Sequence, residues 1–457
     1  MTGLKTSKLF GGTLLASLAM SVAAFAQDAV APAVAEVVPV IDKGDTAWML
    51  VSTMVVIVMT IPGLALFYGG LVRTKNVLSV LTQVFMGFCM IALLWIAYGY
   101  SLAFGGGSEG GITAFIGDFS KFFLAGITPD STAATFSAGF QLPEFVFVIF
   151  QLTFAAITAT LIIGGIAERM KFGAVMAFLA LWFTFSYLPI AHMVWSGAGL
   201  LFGMGAYDFA GGTVVHINSG IAALVACLVL GPRAGYLREP IAPHNLVFTY
   251  IGAGLLWFGW FGFNAGSNLE ANGLTAVALM NTITAPAAGA IAWALAEKIT
   301  RGHASALGAV SGAVAGLVAI TPAAGFAGTA GAMVLGGVAS LVCFWAVVSL
   351  KKLFRYDDSL DVFGIHGVGG IVGALGTAIV ATPSLGGYAL GDAAAYSMGG
   401  QFVIQLTAVG IAVVWSGVVA FVALMIVKLL FGGLRVAESA ESDGLDISSH
   451  GEHAYNN

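Results

Sequence analysis

Charge is what this 457-residue chain has least of: Asp, Glu, Lys and Arg together make up only 9% of it. A soluble domain carries about 25% charged residues, so a water-exposed shell around a chain this long is excluded. The bilayer is the solvent that suits such a composition, and long apolar runs broken by short polar loops agree. Cysteine is scarce as well. Cys89, Cys227 and Cys343 all sit inside apolar runs, which excludes a disulfide framework and leaves small buried hydrophobes. Basic residues do not outnumber acidic ones, and a net charge of −5 argues against a nucleic-acid partner. What the chain has in plenty is glycine, 62 residues, the small residue that lets membrane helices approach closely.

The first residues read as an export signal. Lys5 and Lys8 precede the apolar stretch Leu9 to Ala24, and Ala24-Phe25-Ala26 supplies a small-residue cleavage site before Gln27. Residues 1–26 are therefore expected to be a cleavable signal peptide, 27–430 a membrane domain and 431–457 a cytoplasmic tail. Apolar runs of about 20 residues predict eleven spans, at roughly 47–72, 76–104, 143–167, 172–195, 210–231, 246–265, 274–296, 304–321, 329–350, 362–382 and 399–429. The fold class is an all-α membrane protein.

The basic residues fix its orientation. With the mature N-terminus outside, the cytoplasmic connections hold Arg73, Lys75, Arg169, Lys171, Arg233, Arg238, Lys298, Arg301, Lys351, Lys352 and Arg355, while the external side holds Lys43 and Lys121. That asymmetry follows the positive-inside rule, so the C-terminus is expected inside, in a multi-pass protein of the cell inner membrane. The longest external loop runs from Gly105 to Gln141, and its Gly106-Gly107-Ser108 run reads as flexible surface. After Phe431 the chain turns polar, with Glu438, Glu441, Asp443 and Asp446; by composition alone this is a solvated tail.

Two histidines stand out. His216 lies eight residues after Asp208, which is placed to cap the fifth span, and His366 lies eight after Asp358 at the start of the tenth. Helical rise puts each ring about 12 Å deep, in a hydrocarbon core whose half-thickness is about 15 Å. Polar side chains are expensive in lipid and usually line a pathway, so the pair is read as pore lining and not as two separate core histidines. Rings that enter from opposite faces also fit an inverted repeat, spans one to five matching six to ten. Asp361, five before His366, is the expected counterpart of Asp208. No third ligand accompanies the histidines, so no metal is expected, and nothing calls for a cofactor or a catalytic nucleophile. Neutral imidazoles suit a small hydrogen-bonding solute better than a bare ion.

Longer motifs sharpen this. Asp208-Phe-Ala-Gly-Gly-Thr-Val-Val-His216, Gly259-Trp-Phe-Gly-Phe-Asn-Ala-Gly-Ser267 and Asp361-Val-Phe-Gly-Ile-His366-Gly resemble signatures of the ammonium transporters of the Amt/Mep/Rh family, bacterial Amt type. Phe67-Tyr-Gly-Gly-Leu, Ala191-His-Met-Val-Trp195, Gly433-Leu-Arg-Val and Ser449-His-Gly-Glu452 extend the likeness over nearly the whole mature chain. The connection from Ser196 to Tyr207 is slightly longer than in several family members.

The resemblance implies a homotrimer with a pore in each subunit that carries ammonium or ammonia through a lipid membrane. It implies that Trp195 and Ser267, with Phe154, form an outer ammonium site near the acidic Asp208. Phe154 and Phe263 would be a stacked gate, and His216 and His366 the pore-lining pair. Phe150, one turn before Phe154, would extend the aromatic wall, with Gln151 a candidate for the vestibule. Ser311 is a candidate support for the Asp208 region. The tail resembles the region that receives a PII-type signal protein. An ammonium sensor and an Rh-like channel for another neutral gas are the alternative readings.

Overall fold

Inside a bilayer no water is available to satisfy a backbone N–H or C=O, so the chain must close its own hydrogen bonds and does so as helices. The first turn of a helix still leaves free N–H groups, and short polar side chains take them up. Asp42 accepts from Asp45 N at 2.9 Å, Asn245 from Phe248 N at 3.0 Å, and Asn272 from Leu274 N at 2.9 Å. Ser305 accepts from Gly308 N at 2.8 Å and Ser397 from Gly400 N at 3.1 Å.

The computed structural model describes residues 39–106 and 111–455. The expected signal peptide, 1–26, lies outside the described residues, as do Gly107 and Ser108 of the Gly106-Gly107-Ser108 run. Among the described residues, eleven helices are long and apolar enough to cross a membrane. They are α1 (Lys43–Leu71), α2 (Thr74–Phe104), α3 (Glu144–Ile166), α4 (Phe172–Gly203), α5 (Gly212–Leu230), α6 (Leu246–Gly266), α7 (Gly273–Arg301), α8 (Ala306–Ala323), α9 (Thr329–Phe354), α10 (Phe363–Val380) and α11 (Met398–Leu430). The number matches the expected spans. The largest differences in bounds are in α4, which resumes for one more turn, Leu200–Gly203, after a break beyond Trp195, in α1, which starts already at Lys43, and in α7 and α9, which continue past the apolar run. The loop between α2 and α3 carries a short antiparallel pair, β1 (Thr132–Ala134) and β2 (Phe140–Pro143).

Glycine sets which helices touch. A Cβ added to Gly252 of α6 would lie 2.2 Å from Phe67 N of α1, and one on Gly259 2.2 Å from the Cβ of Met59. The partners run in reverse order, so α1 and α6 are antiparallel at backbone contact. α5 and α10 repeat this: a Cβ on Gly220 would meet Gly367 N at 2.3 Å, and one on Gly370 the His216 Cβ at 3.1 Å. The first helices of the two halves thus cross antiparallel, and so do the fifth, as an inverted repeat requires.

One face of the bundle is held by ion pairs between the connections. Arg73 pairs with Glu168 at 2.7 Å, Arg233 with Asp357 at 2.8 Å and with Glu168 at 3.4 Å. Burial opposes the charge on Glu168 and Asp357. The guanidinium groups win, holding both carboxyls below their ordinary values. The tail packs on this basic face and is not the solvated segment that composition suggested. Asp446 accepts from the N–H groups of Ser79 (2.8 Å) and Leu78 (3.1 Å), capping the α-helical part of α2, which begins at Val77. Glu441, in α12 (Glu438–Asp443), pairs with Arg435 at 2.6 Å and takes Ala234 N at 2.7 Å. The Lys75 ammonium donates to the Ser442 carbonyl. The polar residues that made this stretch look solvated are the ones that dock it.

Candidate functional site

The site begins at a turn built by one carboxylate. The segment before α5 folds back so that Asp208 Oδ1 accepts from Gly211 N (2.8 Å) and Gly212 N (2.6 Å), and Oδ2 from Thr213 N (2.8 Å) and Val214 N (3.1 Å). Gly211 has φ +115°, a backbone conformation that favours glycine. Burial raises the Asp208 carboxyl above its ordinary value and the four amides draw it back part of the way. The helix itself starts at Gly212, so His216 stands only about 6 Å along it, half the rise counted from Asp208. α10 likewise starts at Phe363, three residues before His366. The inward-folded turns ahead of the two helices, not the helical rise, bring the rings together.

Trp195, at the end of the main part of α4, donates its indole N–H to the Asp208 carbonyl at 2.9 Å, which closes the long Ser196–Tyr207 connection. Its ring stays half-buried and meets Phe154 edge-on at 5.7 Å between centroids. Phe154 stacks on Phe263 at 4.1 Å with 17° between planes. Phe263 approaches His216 at 6.1 Å, and His216 approaches His366 at 5.2 Å. Five rings from α3, α4, α5, α6 and α10 thus form one continuous row. Phe150 lies edge-on to Phe154 at 5.0 Å, and Gln151 beside it buries its amide oxygen without a hydrogen-bond partner among the described residues. Ser267 gives its hydroxyl proton to the Phe263 carbonyl at 2.8 Å, and among the described residues no donor takes its oxygen lone pairs at the half-buried end of α6. His192, of the motif ending in Trp195, is buried between the carbonyls of Ala103 (2.8 Å) and Thr113 (2.6 Å) and ties α4 to the loop after α2.

At the end of the row the Nδ1 atoms of His216 and His366 lie 3.2 Å apart. A cavity of about 10 Å³ adjoins them, walled by Phe263, Trp260, Val215 and Ile157, and the two imidazoles are its only ionisable lining. That is room for about one small solute. A second cavity, of about 50 Å³, shares His366 and reaches Ser311 and Asp361. A third, of about 360 Å³, shares Asp361 and opens among Arg233, Lys351 and Tyr236 of the basic face. Among the described residues no group of three or more His, Cys, Asp or Glu is placed to hold a metal.

The family model of the Ammonium Transporter Family matches residues 47–455. The chain belongs to that family. The ammonium transporter of Bacillus subtilis is 45% identical over 414 residues, covering 90% of this chain and 98% of the relative. That of Aquifex aeolicus is 46% identical over 420 residues, covering 91% and 94%. Among solved structures, the Sensor Amt Protein superposes with a TM-score of 0.80 at 28% identity, covering 89% of this chain and 98% of that one. Mep2 of Saccharomyces cerevisiae gives 0.77 at 35% identity, covering 87% and 88%.

Two expectations for this ammonium transporter family member are corrected. The counterpart of Asp208 is Asp358, not Asp361: Asp358 Oδ2 accepts from Phe363 N at 2.7 Å at the start of α10. Asp361 sits at φ +62° and turns to the Lys351 ammonium at 2.7 Å. Burial pushes the Asp358 carboxyl up to about 6, against the pull of Lys351. Ser311 lies on the cavity leading to the basic face and not beside Asp208. Sequence reasoning also passed over Thr321, whose hydroxyl stands 3.3 Å from His216 Nε2. A threonine before Pro322 at the end of α8 gave only the signal of a helix ending.

Proposed function

We propose that the protein carries ammonium nitrogen across the membrane as ammonia. The ion is recruited at the Trp195 end of the ring row, sheds its proton, and the neutral molecule passes Phe154 and Phe263 and then His216 and His366. A cation over an aromatic face gains roughly 0.5–2 kcal/mol, and the Ser267 oxygen offers an acceptor beside it. Neither group is charged, so the ion is selected without being trapped, while Asp208 fixes the turn beneath it. Alkylammonium groups titrate near ~10.4, so at neutral pH a proton must leave before the nitrogen enters a passage closed by stacked rings. An ion there would lose its hydration with nothing to replace it. The observation that carries the reading is the row of rings ending in two facing imidazoles 3.2 Å apart.

The Trp195 end faces outward and the basic face is cytoplasmic, in keeping with the positive-inside rule. The protein acts as a homotrimer in the cell inner membrane after removal of residues 1–26. The tail docked on α2 forms part of the surface offered to a PII-type signal protein. The test is electrophysiology on proteoliposomes given ammonium pulses. Purified protein should yield a saturable ammonium-specific response that Trp195→Ala weakens at low ammonium. Responses no larger than those of protein-free vesicles would reject the reading.

A further inference from the structure

We infer that Thr321 fixes which nitrogens of the histidine pair carry protons, so that the pair presents a bare lone pair at His366 Nε2. The inference deepens the proposed function and rests on it for its consequence, though not for its test.

It follows from counting donors. A hydroxyl has one proton and two lone pairs. Three groups surround Thr321 Oγ1: the Leu317 carbonyl at 2.8 Å, the Trp260 indole Nε1 at 2.9 Å and His216 Nε2 at 3.3 Å. Indole N–H can only donate, so it occupies one lone pair. A carbonyl can only accept, so Leu317 takes the hydroxyl proton; turning that proton to His216 would trade a 2.8 Å contact for one of 3.3 Å. One lone pair remains, and His216 Nε2 must donate to it. A neutral imidazole has a single N–H, so His216 Nδ1 is bare. It faces His366 Nδ1 at 3.2 Å, and two nitrogens at that distance share one proton, which His366 supplies.

The hydrogen bonds are therefore polarised one way: His366 Nδ1–H to His216 Nδ1, His216 Nε2–H to Thr321, and Thr321 O–H to the Leu317 carbonyl. His366 Nε2 is left without a proton and without a hydrogen-bond partner among the described residues, in a ring that borders both inner cavities. The pair meets its solute as an acceptor there, which suits a molecule rich in N–H. His216 offers no free lone pair of its own. Thr321 is fully buried and lines neither cavity, so it is a positioning residue.

Solid-state NMR of protein labelled with ¹⁵N-histidine, reconstituted in bilayers, reads this directly. The pair is recognised by the cross-peak between its two Nδ1 atoms. The wild-type protein should show one ring protonated at Nε2 and its partner at Nδ1, as a single population. Thr321→Val, which keeps the shape and loses the hydroxyl, should add a second population with the proton reversed. Its ammonium response should fall by about tenfold, the scale one net hydrogen bond sets on a rate. Thr321→Ser should restore both readouts. A wild-type pair with His216 protonated at Nδ1 would overturn the assignment. So would a Thr321→Val spectrum identical to wild type, or a Thr321→Ser protein with the proton pattern scrambled. If Thr321→Val does not fold, the wild-type and Thr321→Ser spectra decide. A wild-type protein with the stated proton pattern but no ammonium response would reject the proposed function and leave the role of Thr321 standing.

Discussion

Replacing Asp208 with Asn keeps the shape of the side chain and takes away half of what it does. The carboxylate holds four backbone N–H groups with two oxygens, at 2.6 to 3.1 Å. An amide keeps one oxygen for two of them and turns an NH₂ group toward the other two. A buried donor left without a partner costs about 1–3 kcal/mol. Two such donors therefore cost roughly 2–6 kcal/mol, before any repulsion between facing donors is counted. The same turn offers the carbonyl that holds Trp195 and leads directly into His216, so the damage should reach both ends of the ring row. The assay is an unfolding midpoint in detergent together with the ammonium response in proteoliposomes. Asp208→Asn should lower the midpoint and abolish the response together. An Asp208→Asn protein with the wild-type midpoint and response would refute the claim that this carboxylate builds the site.

Gly220→Ala should separate α5 from α10, because its Cβ would sit 2.3 Å from Gly367 N. Overpacking of this kind costs about 1–3 kcal/mol, and the Nδ1–Nδ1 cross-peak of the histidine pair should weaken with the transport response. Acid should loosen the basic face. Burial alone would raise Glu168 and Asp357, but Arg233 and Arg73 hold Glu168, and Arg233 and Arg169 hold Asp357, below their ordinary values of 4.5 and 3.8. A folded-state value below the unfolded one gives stability that is present above the unfolded value and lost as pH falls through the folded one. The share of the detergent-solubilised midpoint that Arg233→Gln removes should therefore be constant above about pH 5 and shrink below about pH 4, and a difference between the two proteins that stays constant through that range would contradict the pairing. Asp446→Ala removes the cap on α2, worth about 0.5–2 kcal/mol, and trypsin should then cut after Arg435 faster than in the wild-type protein.

The spans and the histidine pair were legible because each rests on a pattern within its own segment: apolar length for the spans, and a polar ring within an apolar run for His216 and His366. The sixth span, expected at roughly 246–265, is the helix Leu246–Gly266. Spacing matches Asp358, eight before His366 as Asp208 is before His216, but the motif that begins at Asp361 points to the other aspartate. The choice depends on a positive φ at Asp361 and on Lys351 standing ready to hold it, and neither shows in the local sequence. Nor did polarity reveal the docked tail. Asp446 reads as solvated until the unfilled N–H groups of Leu78 and Ser79, some 370 positions away, are placed beside it. Thr321 stayed hidden for the same reason, since its role is a matter of which three groups converge on one oxygen.

The central claim is that His216 and His366 line the path of the nitrogen and are not a buried structural contact. The most direct measurement compares the ammonium response of proteoliposomes holding the wild-type protein with that of His216→Ala/His366→Ala protein at equal reconstituted amounts. The account predicts that the saturable ammonium-specific response disappears while the double variant keeps its fold and assembly. A double variant with wild-type ammonium specificity and magnitude would contradict it.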